Sequence, residues 1–548
     1  MIKIHVSEKD IRKAMTEELR LATTKLCIMN EKPPYFVSYL LRERERFEVW
    51  ARFGSPYGQK YNQSIDCYAQ VRVGSYELDQ SVNGGLNNFQ SEDSNFWADN
   101  LPLDGNIDVL RYALRLLTED KYREALEGYY RKKSQIVAGA YKQKGPNFSR
   151  QTPKKFSEAP KNLDRDVKKW MDLVLPYSKR FRSFPFLKSS FVEMTGERIR
   201  TYYRNSEGSD VVTEQIFYAL ELHALAVDEN GSMEKRQRQF FFTTPNQLPS
   251  PEQIEEAIEK LALYLQELVK APRIKPHSGP VLLGPEASGL FFHEVLGHRL
   301  EGERLLSDGE GRTLKDKVDE NIIPDFLSVY DDPTLETFNG VPLLGHYRFD
   351  SEGIASQKVT LIKKGVLKNF LQSRTPINRK SKSNGHGRTE FFKAPMARMG
   401  NLIVEGHQPK KSREHLEEFF QRQVRDMGKS FGLIIEEVHA GETDTSNYDF
   451  QVFKGQPERI LKMDAKTGKK TLVRGLDFIG TPLSAVSKIE ATGPDQSVFN
   501  SFCTAESGDV RVCSIAPSLY FSDMELQRSN EKTAPVSILP IFWAEPKK

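Results

Sequence analysis

Residues 279–305 read GPVLLGPEASGLFFHEVLGHRLEGERL. The apolar run Val281, Leu282, Leu283 is stopped by Gly284-Pro285, and a helical pattern then carries His293, Glu294 and His298 at its centre. A strand, a turn and a helix bearing two imidazoles and a carboxylate within six residues are the unit around which the chain is read. Imidazole is the commonest side-chain ligand for zinc, and a glutamate beside it can serve as general base towards water activated by the metal. The spacing is H-E-x-x-x-H, so the histidines stand at i and i+5. On a regular helix that separates them by about 140°. A π-type turn absorbs the extra residue, and Gly297 would permit the distortion. On spacing alone, two unrelated histidines on an amphipathic helix remain an equal alternative.

The bulk composition bounds the class. With 548 residues, 38% apolar and 28% charged, the chain is long enough for two or more domains with sizeable cores and reads as a soluble globular protein. A formal net charge of +4 argues against a nucleic-acid-binding role. The first residues, MIKIHVSEKDIRKAMTEEL, contain no apolar signal core, and no apolar run of membrane length occurs, so no membrane association and a cytoplasmic address are expected. The mature form of a secreted or periplasmic protein would read the same way. Four cysteines, Cys27, Cys67, Cys503 and Cys513, are too few for a disulfide framework and are read as candidate ligands or nucleophiles.

Taken in order, residues 7–29 read as a capped helix, 35–41, 47–53 and 65–73 as three strands, and 108–136 as a second helix. The Pro- and Lys-containing stretch 145–165 reads as a solvated excursion. Long antiparallel strands are expected over 189–244, with turns at 205–208 and 228–231. Ser250-Pro251-Glu252-Gln253 opens a helix that runs to about Lys270, and Pro272 and Pro276 mark a boundary, giving domains 1–275 and 276–548. In the second half a hairpin is expected around Lys364-Gly365, an ordinary Gly-rich turn at 384–388, an amphipathic helix over 411–427, and strands including 433–438 with a turn at 466–469. Cys513 lies in an alternating strand-like run and is read as a small apolar residue.

Six segments, in chain order, carry a family resemblance: GPVLLGP at 279–285, HEVLGHRLEG at 293–302, Asp331-Asp332, DSEG at 350–353, NGHGR at 384–388 and PMARMGN at 395–401. Together they resemble the TldD/PmbA family of metallopeptidases, on its TldD side, which carries the metal motif. The resemblance implies an α+β, two-domain fold: a mixed N-terminal domain with an antiparallel sheet, and a β-rich C-terminal domain bearing the metal-site helix. It implies that His293 and His298 ligate zinc, that Glu294 is the catalytic base, and that Cys503, in the place of the family's C-terminal cysteine, is the third ligand. His386, Arg388 and Arg398 become candidate substrate-binding residues. Two segments depart from the family: 440–445 replaces a glycine-rich run, and Thr504-Ala505-Glu506 replaces a glycine and a basic residue after the cysteine. The N-terminal half resembles the family only loosely.

Two imidazoles and a thiolate leave tetrahedral zinc one open position, as a catalytic site requires, and the soft cysteine ligand favours zinc over magnesium or calcium. The resemblance implies hydrolysis of flexible or unfolded peptides bound in extended form, by a homodimer or a heterodimer with a PmbA/TldE-like subunit. A non-catalytic regulatory or chaperone-like subunit and a zinc amidase or deacylase are the alternative readings.

Overall fold

The computed structural model describes residues 7–28, 31–81, 101, 106–142, 145–306, 313–390, 393–443 and 453–529. Residues 1–6, Met29 at the expected end of the first helix, Asp444-Thr445 of the replaced glycine-rich run and the end of the second half beyond Ser529 lie outside them.

The first half is built on a sheet of long antiparallel strands. Helix α1 (Glu8–Thr24) starts at Ser7, whose side chain accepts from Asp10 N. Strand β1 (Phe36–Arg52) pairs with β2 (Ser55–Arg72), so the expected first two strands are one continuous strand. The reason lies in the run Arg42-Glu43-Arg44-Glu45-Arg46. Its charges alternate across the strand and find partners there, Arg44 and Arg46 with Glu197 and Glu45 with Arg198. Helix α2 (Ile107–Val137) is capped by Asn106. A short strand β3 (Lys155–Ser157) and a helix that the sequence reading did not anticipate, α3 (Val167–Arg180), precede β4 (Leu187–Asn205), β5 (Asp210–Val227) and β6 (Met233–Phe242). The order is β2-β1-β4-β5-β3, with β6 also on β5.

Side chains alternate between the two faces of β1. Val37, Tyr39 and Leu41 enter a core with α1 and α2, while Phe47, Val49 and Ala51 enter a core with α3 and helix α4 (Pro251–Leu268). Helices therefore cover one face of the sheet. The other face, with Arg42, Arg44 and Arg46, looks across a cleft at the second half.

The stretch 145–165 is exposed or half-buried along most of its length, with Phe148, Ser149 and Leu163 as buried exceptions. Phe148 is buried, and Ser149 N donates to Arg374 O at 2.9 Å, so this loop latches the two halves together. Arg374 is itself fully buried, donates to Ser149 O and Glu207 Oε1, and lies over the rings of Phe36 and Phe148.

The second half is an eleven-stranded sheet. Strand β7 (His277–Leu283) pairs in parallel with Phe431–Thr443 and antiparallel with Gly508–Arg528. Through Phe453–Asp464 and Leu476–Gly480 the pairings return to Gly508–Arg528, closing a ring of five strands. Helix α5 (Pro285–Phe292) is apolar all round after its first turn and packs on Gly508–Arg528, Phe431–Thr443 and Ile489–Ala505. The expected hairpin turn is present, with Lys364 and Gly365 both at positive φ (46° and 81°). Cys513 is buried with Leu343, Ile403 and Ile515. Among the described residues no helix is long and apolar enough to cross a membrane.

Candidate metal centre

Helix α5 ends at Phe292, and the backbone widens into a π turn over His293–Gly297 before tightening at His298–Leu300. The wide turn leaves carbonyls that the ordinary i to i+4 ladder does not serve. Arg299 Nη1 donates to Glu294 O and Val295 O, both at 3.0 Å. Gly297 has φ −51°, an ordinary right-handed value, so the turn does not draw on glycine's conformational freedom as expected. It needs the missing side chain: a Cβ there would lie 2.1 Å from Met399 Sδ.

The π turn brings both imidazoles to one place. His293 Nε2 lies 3.2 Å and His298 Nε2 3.4 Å from Cys503 Sγ, with the rings 87° apart. The three donor atoms lie within 4.8 Å of one another, and all three side chains are buried. Tetrahedral zinc with Zn–N near 2.0 Å and Zn–S near 2.3 Å would set nitrogen and sulfur about 3.6 Å apart, a few tenths of an ångström from what is found. The opposite nitrogen of His298, Nδ1, faces Glu301 Oε2 at 3.2 Å. A carboxylate behind the imidazole is the usual support of a metal-bound histidine, fixing tautomer and ring orientation. The donor set and its backing thus fit zinc.

The three donors are also coupled electrostatically to one another. Burial opposes charge on His298, but Cys503 and Glu301 outweigh it and raise the imidazole to about 10. Burial likewise works against a Cys503 thiolate, yet His298, His293 and Arg398 hold it well below the usual thiol range. Glu294 sits beside them, nine-tenths buried, and its carboxyl is pushed up chiefly by that burial. A Cβ at Gly441 would come 2.6 Å from Glu294 Oε1, so the segment that departs from the family keeps a glycine where this carboxylate passes.

Three further residues singled out from sequence lie elsewhere in the surroundings. His386 is fully buried, with Nδ1 at 3.0 Å from Asn384 O and Nε2 at 3.1 Å from Asp331 Oδ1. Arg398 is fully buried and donates to Cys503 O at 2.6 Å and to Ser507 Oγ and Gly508 O. Arg388 alone of the three lines the cleft between the sheets, bonded to Met399 O and Arg511 O and stacked on Tyr347. That cleft encloses about 570 Å³ and is also lined by Phe502 and Val510, which flank and pair with Cys503. Sequence reading missed Glu301, Arg304 and Glu506 around the cysteine, and Arg42, Arg44 and Arg46 on the far wall. The alternating charges on a strand pattern were the available signal for the last three.

A domain model described as PmbA/TldA metallopeptidase C-terminal domain matches residues 276–528, the half that holds all three donors. Residues 276–528 of the chain belong to the PmbA/TldD family. It is 25% identical over 359 residues to a metalloprotease of Methanocaldococcus jannaschii, covering 64% of this chain and 72% of that protein. A zinc metalloprotease TldD homolog of Saccharolobus solfataricus is 23% identical over 337 residues, 61% of this chain and 70% of the relative. The crystal structure of TldE from Thermococcus kodakarensis superposes with a TM-score of 0.59 at 15% identity, covering 94% of this chain and all of that one. At that identity the likeness is one of fold. The chain has the fold class expected from its sequence, helices and an antiparallel sheet in the first half and a large sheet in the second.

Proposed function

We propose that this chain is a zinc-dependent peptidase acting on flexible or unfolded peptides, with His293, His298 and Cys503 as metal ligands and Glu294 as general base. The observation that carries the reading is the convergence of three buried donors, one of them a cysteine sulfur, beside a buried glutamate. Zinc in that position supplies Lewis acidity, making water available as a nucleophile near neutral pH and polarising a carbonyl. Glu294 orients the attacking water, accepts its proton on the carboxylate and returns a proton to the leaving amine. Its partial desolvation suits that role, because a carboxylate raised towards neutrality can both take and give a proton. Glu301 holds His298 with Nε2 forward, and Arg398 holds the carbonyl of Cys503.

The substrate site in this reading is the cleft between the two sheets. Its mixed polar and apolar lining suits an extended chain held by its backbone, and Phe502 and Val510 in that lining adjoin Cys503. Arg388 is the substrate-contacting residue this favours, and His386 and Arg398 support the site from behind. The names of the relatives support a metallopeptidase; a homodimer or a pairing with a TldE-like chain is the assembly we propose. We also take 1–275 and 276–548 as separate domains, supported by two sheets that share no strand.

Metal content and cleavage of an unstructured fluorogenic peptide test this directly. The purified chain, alone and mixed with a TldE-like partner, should carry about one zinc and cleave the peptide. Removal of zinc by a chelator should abolish cleavage and its return should restore it; activity indifferent to metal in both preparations contradicts the reading.

A further inference from the structure

The candidate ligands come from chain segments about two hundred residues apart, and Cys503 sits near the end of a hairpin whose last pair is Ala505 with Gly508. Hairpin ends fray unless they are tied down. Here the tie is built from four charged side chains. Glu301, behind His298, receives Arg304 Nε on Oε2 at 2.7 Å and faces Arg398 Nε from Oε1 at 3.3 Å. Each arginine then reaches the hairpin on a different side. Arg304 grips Glu506 with both terminal nitrogens, at 2.7 and 2.8 Å. Arg398 takes Cys503 O, Ser507 Oγ and Gly508 O. Glu301, Arg304 and Arg398 are almost wholly buried, and two carboxylates balance two guanidiniums.

We propose that Glu301, Arg304, Arg398 and Glu506 form a positioning clamp that sets the zinc affinity of the site by holding the Cys503 hairpin in register with His298. The inference rests on the ligand assignment above and concerns residues that touch no substrate. Buried ion pairs of this kind contribute little net stability, because desolvation offsets attraction, but bidentate arginine–carboxylate pairs fix geometry. Glu301 is the hinge of the arrangement: it orients one ligand by direct contact and the other through the two arginines. Loss of a group that orients a ligand typically weakens metal binding about 10- to 100-fold.

Glu506 is the partner of choice for a test, as it is remote from the three donors in contact and half of its network survives its neutralisation. Zinc affinity by competition with a chromophoric chelator, and melting of the metal-free protein, are measured for wild type, Glu506→Gln and the double variant Arg304→Met/Glu506→Met, which fills the same space without charge. The clamp predicts zinc bound about 10- to 100-fold more weakly in both, while the metal-free Glu506→Gln variant, in which Glu301 keeps Arg304, melts within about 3 °C of wild type. Zinc affinity within twofold of wild type in both variants overturns the clamp, as does a loss of affinity matched by a proportionate fall in metal-free melting temperature. A wild-type chain that takes up no zinc overturns the ligand assignment and the clamp together, which separates the two failures.

Discussion

Cys503 Sγ lies 3.2 Å from His293 Nε2 although 210 positions of sequence separate them. The hairpin Ile489–Ala505 with Gly508–Arg528 is what crosses that distance, since Gly508–Arg528 also pairs with β7, the strand that leads into the histidine helix. Cys503 lies in the large hydrophobic core of the second half, where its side chain fills little volume.

Cys503→Ala should therefore cost little in folding and much in metal. We expect a destabilisation of about 1 kcal/mol, typical of trimming a small buried group, together with loss of bound zinc. Elemental analysis of protein purified at equal yield checks it; a full complement of zinc in the variant would remove Cys503 from the ligand set.

The π turn makes a second prediction. A methyl group at Gly297 meets Met399 Sδ at 2.1 Å and Cε at 2.9 Å, so Gly297→Ala must displace the Met399 side chain or the histidine segment. Overpacking of this kind costs about 1–3 kcal/mol. Shortening the neighbour, Met399→Ala, should recover part of that loss in the double variant, and denaturant titration of the four proteins measures the coupling. Additive losses would mean that the two residues do not press on each other.

How much of this was legible in the sequence depends on range. The widened helix was, because an i, i+5 pair of ligands has no other way to meet on one helix, and β7 with its Gly284-Pro285 stop was readable from a seven-residue pattern. The Ser250 capping box and the Lys364-Gly365 turn were readable for the same local reason. The sequence reads as two strands where β1 is continuous, because the charged run Arg42–Arg46 has no visible partner until Glu197 and Arg198 of β4 stand opposite it. The latch at Phe148–Ser149 was invisible for a similar reason: its partner Arg374 is 225 positions away. The roles of Glu301 and Glu506 are not legible in the sequence, although Glu301 lies in the resembling segment 293–302 and Glu506 in a departure from the family, because the arginines that join them meet only in the fold.

Arg374 ties the halves of the molecule in a way that can be tested on its own. It is fully buried, paired with Glu207 and packed against the adjoining rings of Phe36 and Phe148. Arg374→Met leaves Glu207 without its cation and should destabilise the protein by about 3–5 kcal/mol. Thermal melting is the measurement, with limited proteolysis around residues 145–150 as a second readout; an unchanged melt and an uncut loop would contradict the latch.

Stability should also fall as pH rises through neutrality. Burial raises Glu303 to about 8 and Glu352 to about 7, and Asp350 beside Glu352 is raised as well. Glu303 accepts from Ala397 N and Ser373 and has Glu352 near it, with no cation in direct contact among its bonded partners. Between the ordinary carboxyl value and these raised ones, the folded chain binds more protons than the unfolded chain. The stabilisation is complete below about pH 4.5 and is lost as pH climbs to about 8, with a slope of up to about 1.4 kcal/mol per pH unit for each group. Denaturant unfolding from pH 5 to 8 should reveal the decline, and Glu303→Gln should flatten it; an equally steep curve in that variant would refute the assignment.

The central claim is that Glu294 moves the proton in a zinc peptidase. The most direct test is Glu294→Gln, assayed for zinc content and for turnover of an unstructured peptide under the conditions in which wild type cleaves it. The account predicts zinc retained at the wild-type level and turnover reduced by about 10²–10⁴, the contribution of a positioned general base. Cleavage at the wild-type rate by the zinc-loaded variant would contradict it.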